Sequence, residues 1–338
     1  MTILGIETSC DETAAAIIHG EKETVTILAD VVASSLALHA QTGGIIPESA
    51  AREQVKYMLP VIQKALQKAD KKLEDLDGIA VTYGPGLIGS LLVGVETAKT
   101  LAYVLQKPLV PVNHMVGHIY ANFIEDPQQP KAEFPAIVLV VSGGHTDLLL
   151  MKKHGDFTLL GGTRDDAAGE AYDKIGRMLG LTYPAGAEIA RLAKLGDPKR
   201  FRFPRPLLHE DTYEFSFSGL KTAVLREVQK IETIDEKTLT DIARATQDAI
   251  CEVLVKKTLR AAKEHNVKTI MLSGGVAADQ TLREQFALET KRQLPDTNFL
   301  VPTRKLCTDN AAMIASAAYF NFNPVPWKEI TADPELYF

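Results

Sequence analysis

The sequence contains little cysteine and no long uninterrupted apolar run. Only Cys10, Cys251 and Cys307 occur among 338 residues, and their odd number and wide separation are not those of a disulfide framework. No run reaches the roughly 18–20 apolar residues that span a bilayer. The first residues lack the basic start and apolar stretch of a signal peptide. We therefore expect an intracellular, cytoplasmic protein.

The sequence also lacks an excess of positive charge, since its formal net charge is −6. Bulk charge therefore gives no support for binding to nucleic acid. Residues 191–205 are locally basic, because they contain six basic residues and only one acidic residue, Asp197. Phe201 and Phe203 lie between the basic residues in the sequence. The basic residues are Arg191, Lys194, Lys199, Arg200, Arg202 and Arg205. Such a stretch can neutralise phosphates and stack on bases, or it can be a solvated surface segment.

Two similar segments each combine a short apolar strand, a polar loop and a second apolar strand. They cover residues 3–18 and 136–151. A related Ser-Gly-Gly turn follows the apolar residues 269–272. Strands that end in small polar residues and glycines expose backbone N–H groups, which suit phosphate oxygens. The repetition indicates two similar lobes that face a shared ligand.

Helical patterns fill the intervals between these strands. Apolar residues recur at helical spacing over residues 48–68, 87–105, 239–262, 281–294 and 308–319. Strands that alternate with helices predict an α/β fold. Residues 125–133 contain prolines and acids and are typical of a linker. We place a boundary there and predict lobes at residues 1–132 and 133–308.

Two histidines four residues apart are the clearest candidate chemical site. His114 and His118 follow a short strand, and Asn113 is suited to cap a helix that begins there. Side chains at positions i and i+4 share one helical face, so both imidazoles can reach one metal ion. The zinc-protease motif has a glutamate after its first histidine, whereas this chain has Met115. A metalloprotease would therefore have ligands and no general base.

Glycines at positions 84, 86 and 89 match the dinucleotide fingerprint Gly-x-Gly-x-x-Gly between a strand and a helix. The acidic residue expected about 20 residues later, to hold a ribose, is missing. A tight turn that packs a helix close to a strand is the favoured interpretation.

Ser218 and Lys221 match the Ser-x-x-Lys motif of penicillin-binding enzymes, whose companion motifs Lys-Thr-Gly and Ser-Asp-Asn are absent from the sequence. A helix start near a ligand is the better interpretation. Carboxylates at Asp165, Asp166 and Asp309 also fall at helix starts. Such carboxylates can bind a metal ion or sugar hydroxyls, or they can cap the helices.

These pieces together resemble one family, the tRNA N6-adenosine threonylcarbamoyltransferases, once described as O-sialoglycoprotein endopeptidases. The resemblance covers nearly the whole chain, and its motifs come in a fixed order. They lie at residues 5–13, 114–118, 141–146, 165–174, 215–221, 272–277 and 308–311.

The resemblance implies a fold and an activity. The fold is the two-lobed actin/Hsp70-like ATPase fold, with duplicated mixed sheets flanked by helices and the ligand between the lobes. The last helix, residues 309–330, is expected to return to the first lobe. The activity is transfer of the threonylcarbamoyl group of threonylcarbamoyl-AMP to N6 of adenosine 37, beside the anticodon, in tRNAs that read codons beginning with A. The products are the t6A base and AMP.

The resemblance also implies roles for individual residues. His114, His118 and Asp309 match the ligands of one divalent ion, Fe²⁺ or Zn²⁺. Asp11 matches an acidic residue near the reaction centre, which we expect to position the attacking amine or to take its proton. The residues that match the substrate-binding positions are Val140, Val141, Ser142, Gly143, Gly144, Asp173, Gly186 and Asp279.

The chain departs from the family pattern at three positions. Asp279 stands where the family usually has asparagine, so the side chain keeps its acceptors and loses an amide donor. Ala185 replaces a glycine, and Ala190 stands where many relatives have an aspartate. These changes concern nucleotide affinity and leave the metal-ligand positions intact.

Relatives of this kind work with helpers. The resemblance implies tRNA as substrate, a degenerate paralogue of the same fold (TsaB type), a small ATPase (TsaE type) and an adenylate-forming enzyme (TsaC type), with no membrane partner. The alternatives are a metalloprotease, a sugar-kinase or chaperone-like ATPase, and a noncatalytic scaffold.

Overall fold

The computed structural model describes residues 1–34 and 46–338. These residues form two compact units. The first, here the metal unit, comprises Met1–Lys131 and Pro302–Phe338, and the second, here the loop unit, comprises Ala132–Val301. The chain therefore leaves the first unit once and returns to it for its last segment.

The described residues contain ten strands and ten α-helices. The strands are β1 (Thr2–Glu7), β2 (Glu12–Glu21), β3 (Thr24–Ser34), β4 (Gly78–Gly84), β5 (Leu109–Asn113), β6 (Ala136–Val141), β7 (Thr146–Lys153), β8 (Asp156–Gly161), β9 (Thr269–Ser273) and β10 (Asn298–Leu300). The helices are α1 (Pro47–Ala69), α2 (Ile88–Leu105), α3 (His114–Tyr120), α4 (Ala168–Met178), α5 (Gly186–Ala193), α6 (Ser218–Val228), α7 (Glu236–Glu264), α8 (Gln280–Gln293), α9 (Arg304–Cys307) and α10 (Ala311–Phe320).

The two units contain sheets of the same topology. Their strand orders are β3-β2-β1-β4-β5 and β8-β7-β6-β9-β10. In each sheet the first three strands are antiparallel and the last two join in parallel. The predicted strand-loop-strand segments are the hairpins β1–β2 and β6–β7, so the predicted α/β fold with duplicated mixed sheets is confirmed.

The sheet of the metal unit is covered on both faces, which explains why every residue of β1 is buried. On one face, Leu4 and Ile6 pack with Met58 of α1 and Leu91 of α2. On the other face lies α10. A Cβ added at Gly5 would come within 2.2 Å of the Ala311 carbonyl oxygen, so glycine allows this helix to pack closely against β1.

Helix α2 is long and apolar enough to cross a membrane by length and composition alone. In this structure it packs against α1 and β4, and the face that carries Leu91 and Val95 is buried. This packing is that of a helix covering a sheet in a folded core.

The sheet of the loop unit carries α7, whose 29 residues include many fully buried side chains. This helix contacts β6 and β9 and supports α5, α6 and α8. Strands β6 and β9 run in parallel, so the loops that follow Val141 and Ser273 emerge at the same edge of the sheet. The packing thus collects the predicted glycine-containing loops at one edge of this unit.

Candidate metal centre

The two histidines predicted to bind a metal ion lie on the short helix α3 of the metal unit. Asn113 caps this helix, since its Oδ1 accepts hydrogen bonds from the N–H groups of Met115 (2.8 Å) and Val116 (3.3 Å). One helical turn places both imidazoles on the same face, with ring centroids 4.7 Å apart. The helix therefore presents two nitrogen donors from a fixed start.

Asp309 faces both histidines. Its Oδ1 lies 3.3 Å from Nε2 of His118 and 3.6 Å from Nε2 of His114. Asp309 directly precedes Asn310, whose side chain caps α10 by accepting from the N–H of Met313. Helix α10 packs against both α3 and β1, so this packing fixes the carboxylate opposite the imidazoles.

The three side chains fit one metal ion. Their ligand atoms all lie within 4.8 Å of one another. Bonds of about 2.0–2.1 Å to one tetrahedral ion place neighbouring donors roughly 3.4 Å apart, close to the two distances above. Two imidazoles and a carboxylate suit iron and zinc alike. Three protein ligands also leave at least one coordination position for a substrate oxygen.

A second carboxylate, Glu7, supports His114 from behind. Its Oε2 lies 3.2 Å from Nδ1 of His114, and the hydroxyl of Ser9 lies 3.1 Å from the same nitrogen. Glu7 also accepts hydrogen bonds from the Ser9 N–H and the Thr82 hydroxyl, and it is fully buried. When Nδ1 carries the hydrogen and donates to Glu7, the lone pair of Nε2 faces Asp309 and the ion position.

Glu7 was not among the residues predicted from the sequence. Its only signal there is an acidic residue at the end of the otherwise apolar strand β1. Because a buried carboxylate is costly without partners, such a residue indicates a buried hydrogen-bond network or a nearby cation. Residue spacing alone does not identify the partner, since His114 is distant in the sequence.

The centre concentrates negative charge. Burial tends to lower the pKa of His114, but the Glu7 and Asp309 carboxylates outweigh it and raise that pKa to about 9. Burial tends to raise the pKa of Asp309, yet the two histidines hold it well below its usual value. The Asp309 carboxylate is therefore held in its charged form, which favours a bound cation.

The predicted catalytic acid Asp11 lies between β1 and β2 in the same unit, partly buried. It is close enough to Cys10 to act on that thiol electrostatically. Burial, with Asp309, Asp11 and Glu7, raises the pKa of Cys10 far above its usual value. Cys10 therefore stays protonated and is unsuited to act as a nucleophile. Cys307 is buried, and its thiol donates to the Pro302 carbonyl.

The predicted substrate loop, Val140 to Gly144, lies in the loop unit at the end of β6. A Cβ added at Gly143 or Gly144 would meet no atom within 4 Å, so both glycines border open space. The start of α4 packs against this loop, since the Gly169 N–H donates to the Ser142 carbonyl at 3.1 Å. Gly274 has φ +88° and approaches the Val141 carbonyl too closely for any side chain. The structure therefore brings the loop, the Ser-Gly-Gly turn and a helix start together, an arrangement suited to a phosphate.

Asp173 and Asp279, which are also predicted to bind substrate, accept hydrogen bonds from backbone N–H groups of the loop unit. The carboxylate of Asp173 accepts from the N–H groups of Ala185 (2.7 Å) and Gly186, at the start of α5. Asp279 caps α8 by accepting from the Thr281 N–H, and its other oxygen accepts from the Gln247 side chain, both at 2.8 Å. The aspartate at position 279 thus has a hydrogen-bond donor for each of its two oxygens.

The Gly-x-Gly-x-x-Gly match at positions 84, 86 and 89 has a structural role. A Cβ at Gly84 would meet the Asp333 carbonyl at 1.9 Å, and one at Gly86 would meet the Ser9 carbonyl at 2.5 Å. These glycines therefore allow close packing by the chain itself, as a tight turn requires.

The Ser-x-x-Lys motif does not pair its serine with its lysine in the described structure. Ser218 donates to Asp165 at 2.7 Å, and Lys221 donates to Asp166 at 2.9 Å. Asp165 also accepts from the N–H groups of Phe217 and Ser218, at the start of α6. The two acids thus anchor this helix start, and the lysine is not placed to activate the serine.

Comparison with known proteins identifies the relatives of this chain. The model of the tRNA N6-adenosine threonylcarbamoyltransferase family matches residues 26–316. Proteins of that name from Listeria innocua, Thermosipho africanus and Enterococcus faecalis are each 50% identical to this chain. The matches cover 95%, 94% and 99% of this chain and 91%, 94% and 95% of those proteins, respectively.

Two solved structures share the fold at low sequence identity. The activator of 2-hydroxyisocaproyl-CoA dehydratase from Clostridium difficile, solved with bound ADPNP, has a TM-score of 0.52 at 14% identity and matches 95% of each chain. The ROK hexokinase from Thermus thermophilus has the same TM-score and identity and matches 95% of this chain and 99% of its own. The predicted actin-like ATPase fold is thereby confirmed.

Replacement of any of the three ligands should abolish stoichiometric metal binding. We expect His114→Ala, His118→Ala and Asp309→Asn each to lose iron and zinc, since two remaining donors hold an ion weakly. Elemental analysis of protein purified without a histidine tag measures this. The exposed His19 of β2 provides the matched control, and His19→Ala should keep the wild-type metal content. Full metal content in the triad variants would contradict the assignment.

Replacement of Glu7 by glutamine should weaken metal binding without abolishing it. Glutamine keeps the size of the side chain but loses the charge that orients and polarises His114, and loss of such support typically lowers metal affinity by roughly 10–100-fold. Competition with a chelator of known affinity measures the change. Glu12→Gln is the control, because Glu12 bonds Ser34 and not a histidine. Equal affinity in the two variants would show that Glu7 does not support the metal.

Proposed function

Because the chain belongs to the tRNA N6-adenosine threonylcarbamoyltransferase family, we propose that it transfers the threonylcarbamoyl group from threonylcarbamoyl-AMP to N6 of adenosine 37 in tRNAs that read codons beginning with A. The observation that carries this proposal is the family match over residues 26–316, which includes all three metal-ligand positions and the glycine-containing loops. In the reaction the N6 nitrogen bonds to the carbamoyl carbon and loses a proton. The bond from that carbon to the AMP oxygen breaks, and AMP leaves.

His114, His118 and Asp309 would hold the divalent ion. A bound ion of this kind polarises a substrate oxygen and orients the acyl group. The orientation of the His114 ring depends on Glu7 and Ser9, which lie within hydrogen-bond distance of its Nδ1. These residues thus keep the ligand atoms in place before substrate arrives, and preorganisation of this kind is the main requirement when the acyl group is already activated.

Asp11 is our candidate for the residue that positions the amine of adenine or accepts its proton. It lies in the chain directly after Cys10, whose thiol stays protonated, so a carboxylate is the better base of the two. A covalent cysteine intermediate is unnecessary, because AMP is itself a good leaving group.

The loop unit would bind the adenylate. Backbone N–H groups of Ser142, Gly143 and Gly144 suit the phosphate, and the start of α4 adds a favourable helix dipole. Val140 and Val141 form the end of the strand that holds this loop. Asp173 and Gly186 would shape the nucleotide side through the start of α5, and Asp279 would border it from the start of α8.

The alternative functions find less support in the described residues. A metalloprotease needs a general base beside its ligands, and the position after His114 holds Met115, a thioether that is 2% exposed. The kinase-like and chaperone-like alternatives rest on the fold alone, which hosts many activities. A noncatalytic scaffold does not need the buried carboxylate and hydroxyl that orient His114.

We further propose that transfer takes place in the cytoplasm together with protein helpers. These are a degenerate paralogue of the same fold, a small ATPase and an enzyme that forms the adenylate from threonine, bicarbonate and ATP.

Reconstitution with these helpers and unmodified tRNA tests the function. We expect the wild-type chain to form t6A, detected by mass spectrometry of the digested nucleosides. His118→Ala and Asp309→Asn should lower the rate by roughly 100-fold or more, since a lost electrostatic contact to the reacting group costs about that much. His19→Ala should retain the wild-type rate.

Unmodified tRNA in the presence of every helper would contradict the proposal. Cleavage of a glycoprotein that depends on His114 would favour the protease. Rapid ATP turnover by the chain alone would favour a kinase-like enzyme.

A further inference from the structure

A basic groove of about 730 Å³ lies on the loop unit. It is lined by the loop segment 200–203, which follows α5 in the chain, and by the last part of α6 with the turn after it. The lining residues are Arg200, Phe201, Arg202, Phe203, Ala223, Arg226, Glu227, Gln229 and Lys230. Four basic side chains and one acidic side chain therefore share this groove, on a chain whose net charge is −6.

Two of the four basic side chains have partners within the unit. Arg200 donates to the buried Asp241 at 3.0 Å and to Thr238 at 2.9 Å. Lys230 pairs with Glu227 at 2.6 Å. These contacts neutralise part of the positive charge of the groove.

Arg202 and Arg226 are different. Both are exposed, and within residues 1–34 and 46–338 neither makes a hydrogen bond or an ion pair with its side chain. They come from different parts of the chain, the loop segment 200–203 and α6, yet they line the same groove. Two guanidinium groups without partners among the described residues provide ten N–H donors for an anionic ligand, and one guanidinium group can donate two parallel hydrogen bonds to a phosphate.

The aromatic rings of the groove are already in contact with protein groups. Phe203 is 4% exposed, and its ring is parallel to that of Phe201 at 6.1 Å. The guanidinium group of Arg200 lies 5.3 Å from the centroid of the Phe201 ring. Of the two alternatives left open for this stretch, stacking on bases is therefore closed to Phe203, because its ring is buried. The rings instead anchor the segment that carries Arg202.

Not all basic side chains of residues 191–205 are available to bind an anion. Arg191 pairs with Glu188, and Arg205 pairs with Glu252, so neither offers free charge. Arg226 and Lys230, which lie outside that stretch, complete the groove instead. With Phe203 buried and Phe201 stacked on it, the exposed charges of Arg202 and Arg226 favour contact with a phosphate backbone over contact with bases.

We propose that this groove binds the phosphodiester backbone of the tRNA substrate through Arg202 and Arg226. The inference rests on the proposed function, which makes tRNA the polyanion that the chain must hold. Contacts of this kind are independent of base sequence and fix the position of the RNA on the protein. One enzyme can thereby hold several tRNAs that share an anticodon-loop feature and differ elsewhere.

The test is the affinity of the full chain, with its protein helpers, for an unmodified tRNA transcript at several salt concentrations. Arg202→Gln/Arg226→Gln should weaken binding by about 10-fold or more. The magnitude of the slope of log K against log salt should fall by roughly 1.4–1.8, since each of the two lost phosphate contacts contributes about 0.7–0.9. Lys263→Gln, which removes one exposed charge of α7 outside the groove, should change neither quantity appreciably. Metal content and AMP affinity should stay at wild-type values in the double variant, which shows that it is folded.

The outcomes separate this inference from the proposed function. If the wild-type system forms t6A while the double variant binds tRNA with unchanged affinity and salt slope, the groove is not the RNA site and the proposed function stands. If the double variant keeps its tRNA affinity but no longer associates with a protein helper, the groove is a protein interface and the RNA inference is overturned. If the wild-type system neither binds nor modifies tRNA, the proposed function and this inference both fail.

Discussion

The carboxylate of Asp309, held opposite two imidazoles by the packing of α10, is the interaction on which the candidate centre depends. Its Oδ1 reaches both Nε2 atoms only because α10 lies against α3 and β1. Glycine at position 5 makes that close approach possible. A buried carboxylate at Glu7 would be costly alone, but its contacts to Ser9, Thr82 and His114 offset much of that cost. The result is a negative, preorganised set of donors that a divalent cation would complete.

The two units show how one topology serves different chemistry. Each sheet begins with three antiparallel strands and continues with two parallel ones. In the metal unit, strand β5 leads into α3, which carries His114 and His118. The last segment of the chain returns to this unit and supplies Asp309. In the loop unit, the equivalent sheet edge carries glycine-containing turns, which leave backbone N–H groups near open space. Sheet topology sets where these groups emerge, and the residues after each strand set what they can bind.

Much of this could be predicted from the sequence. The hairpins were predictable because apolar β-branched runs interrupted by small polar residues have few other solutions. The Asn113 cap and the shared face of His114 and His118 follow from helical periodicity. The joining of Asp309 to these histidines came only from family resemblance, because spacing carries no information about contacts between the two ends of a chain. The role of Glu7, and the absence of side-chain partners for Arg202 and Arg226 among the described residues, required the three-dimensional structure, since ion pairing between elements depends on packing. The roles of Asp11, Asp173 and Asp279 stay predictions.

A single ion held by two imidazoles and one carboxylate has a distinct ligand set that can be measured. X-ray absorption at the metal edge, on holoprotein purified without a histidine tag, measures this most directly. We expect only nitrogen and oxygen ligands at about 2.0–2.2 Å, with imidazole scattering from two histidines and no sulfur. A sulfur ligand at about 2.3 Å would contradict it, because Cys10 or Cys307 would then bind the ion in place of the residues assigned here.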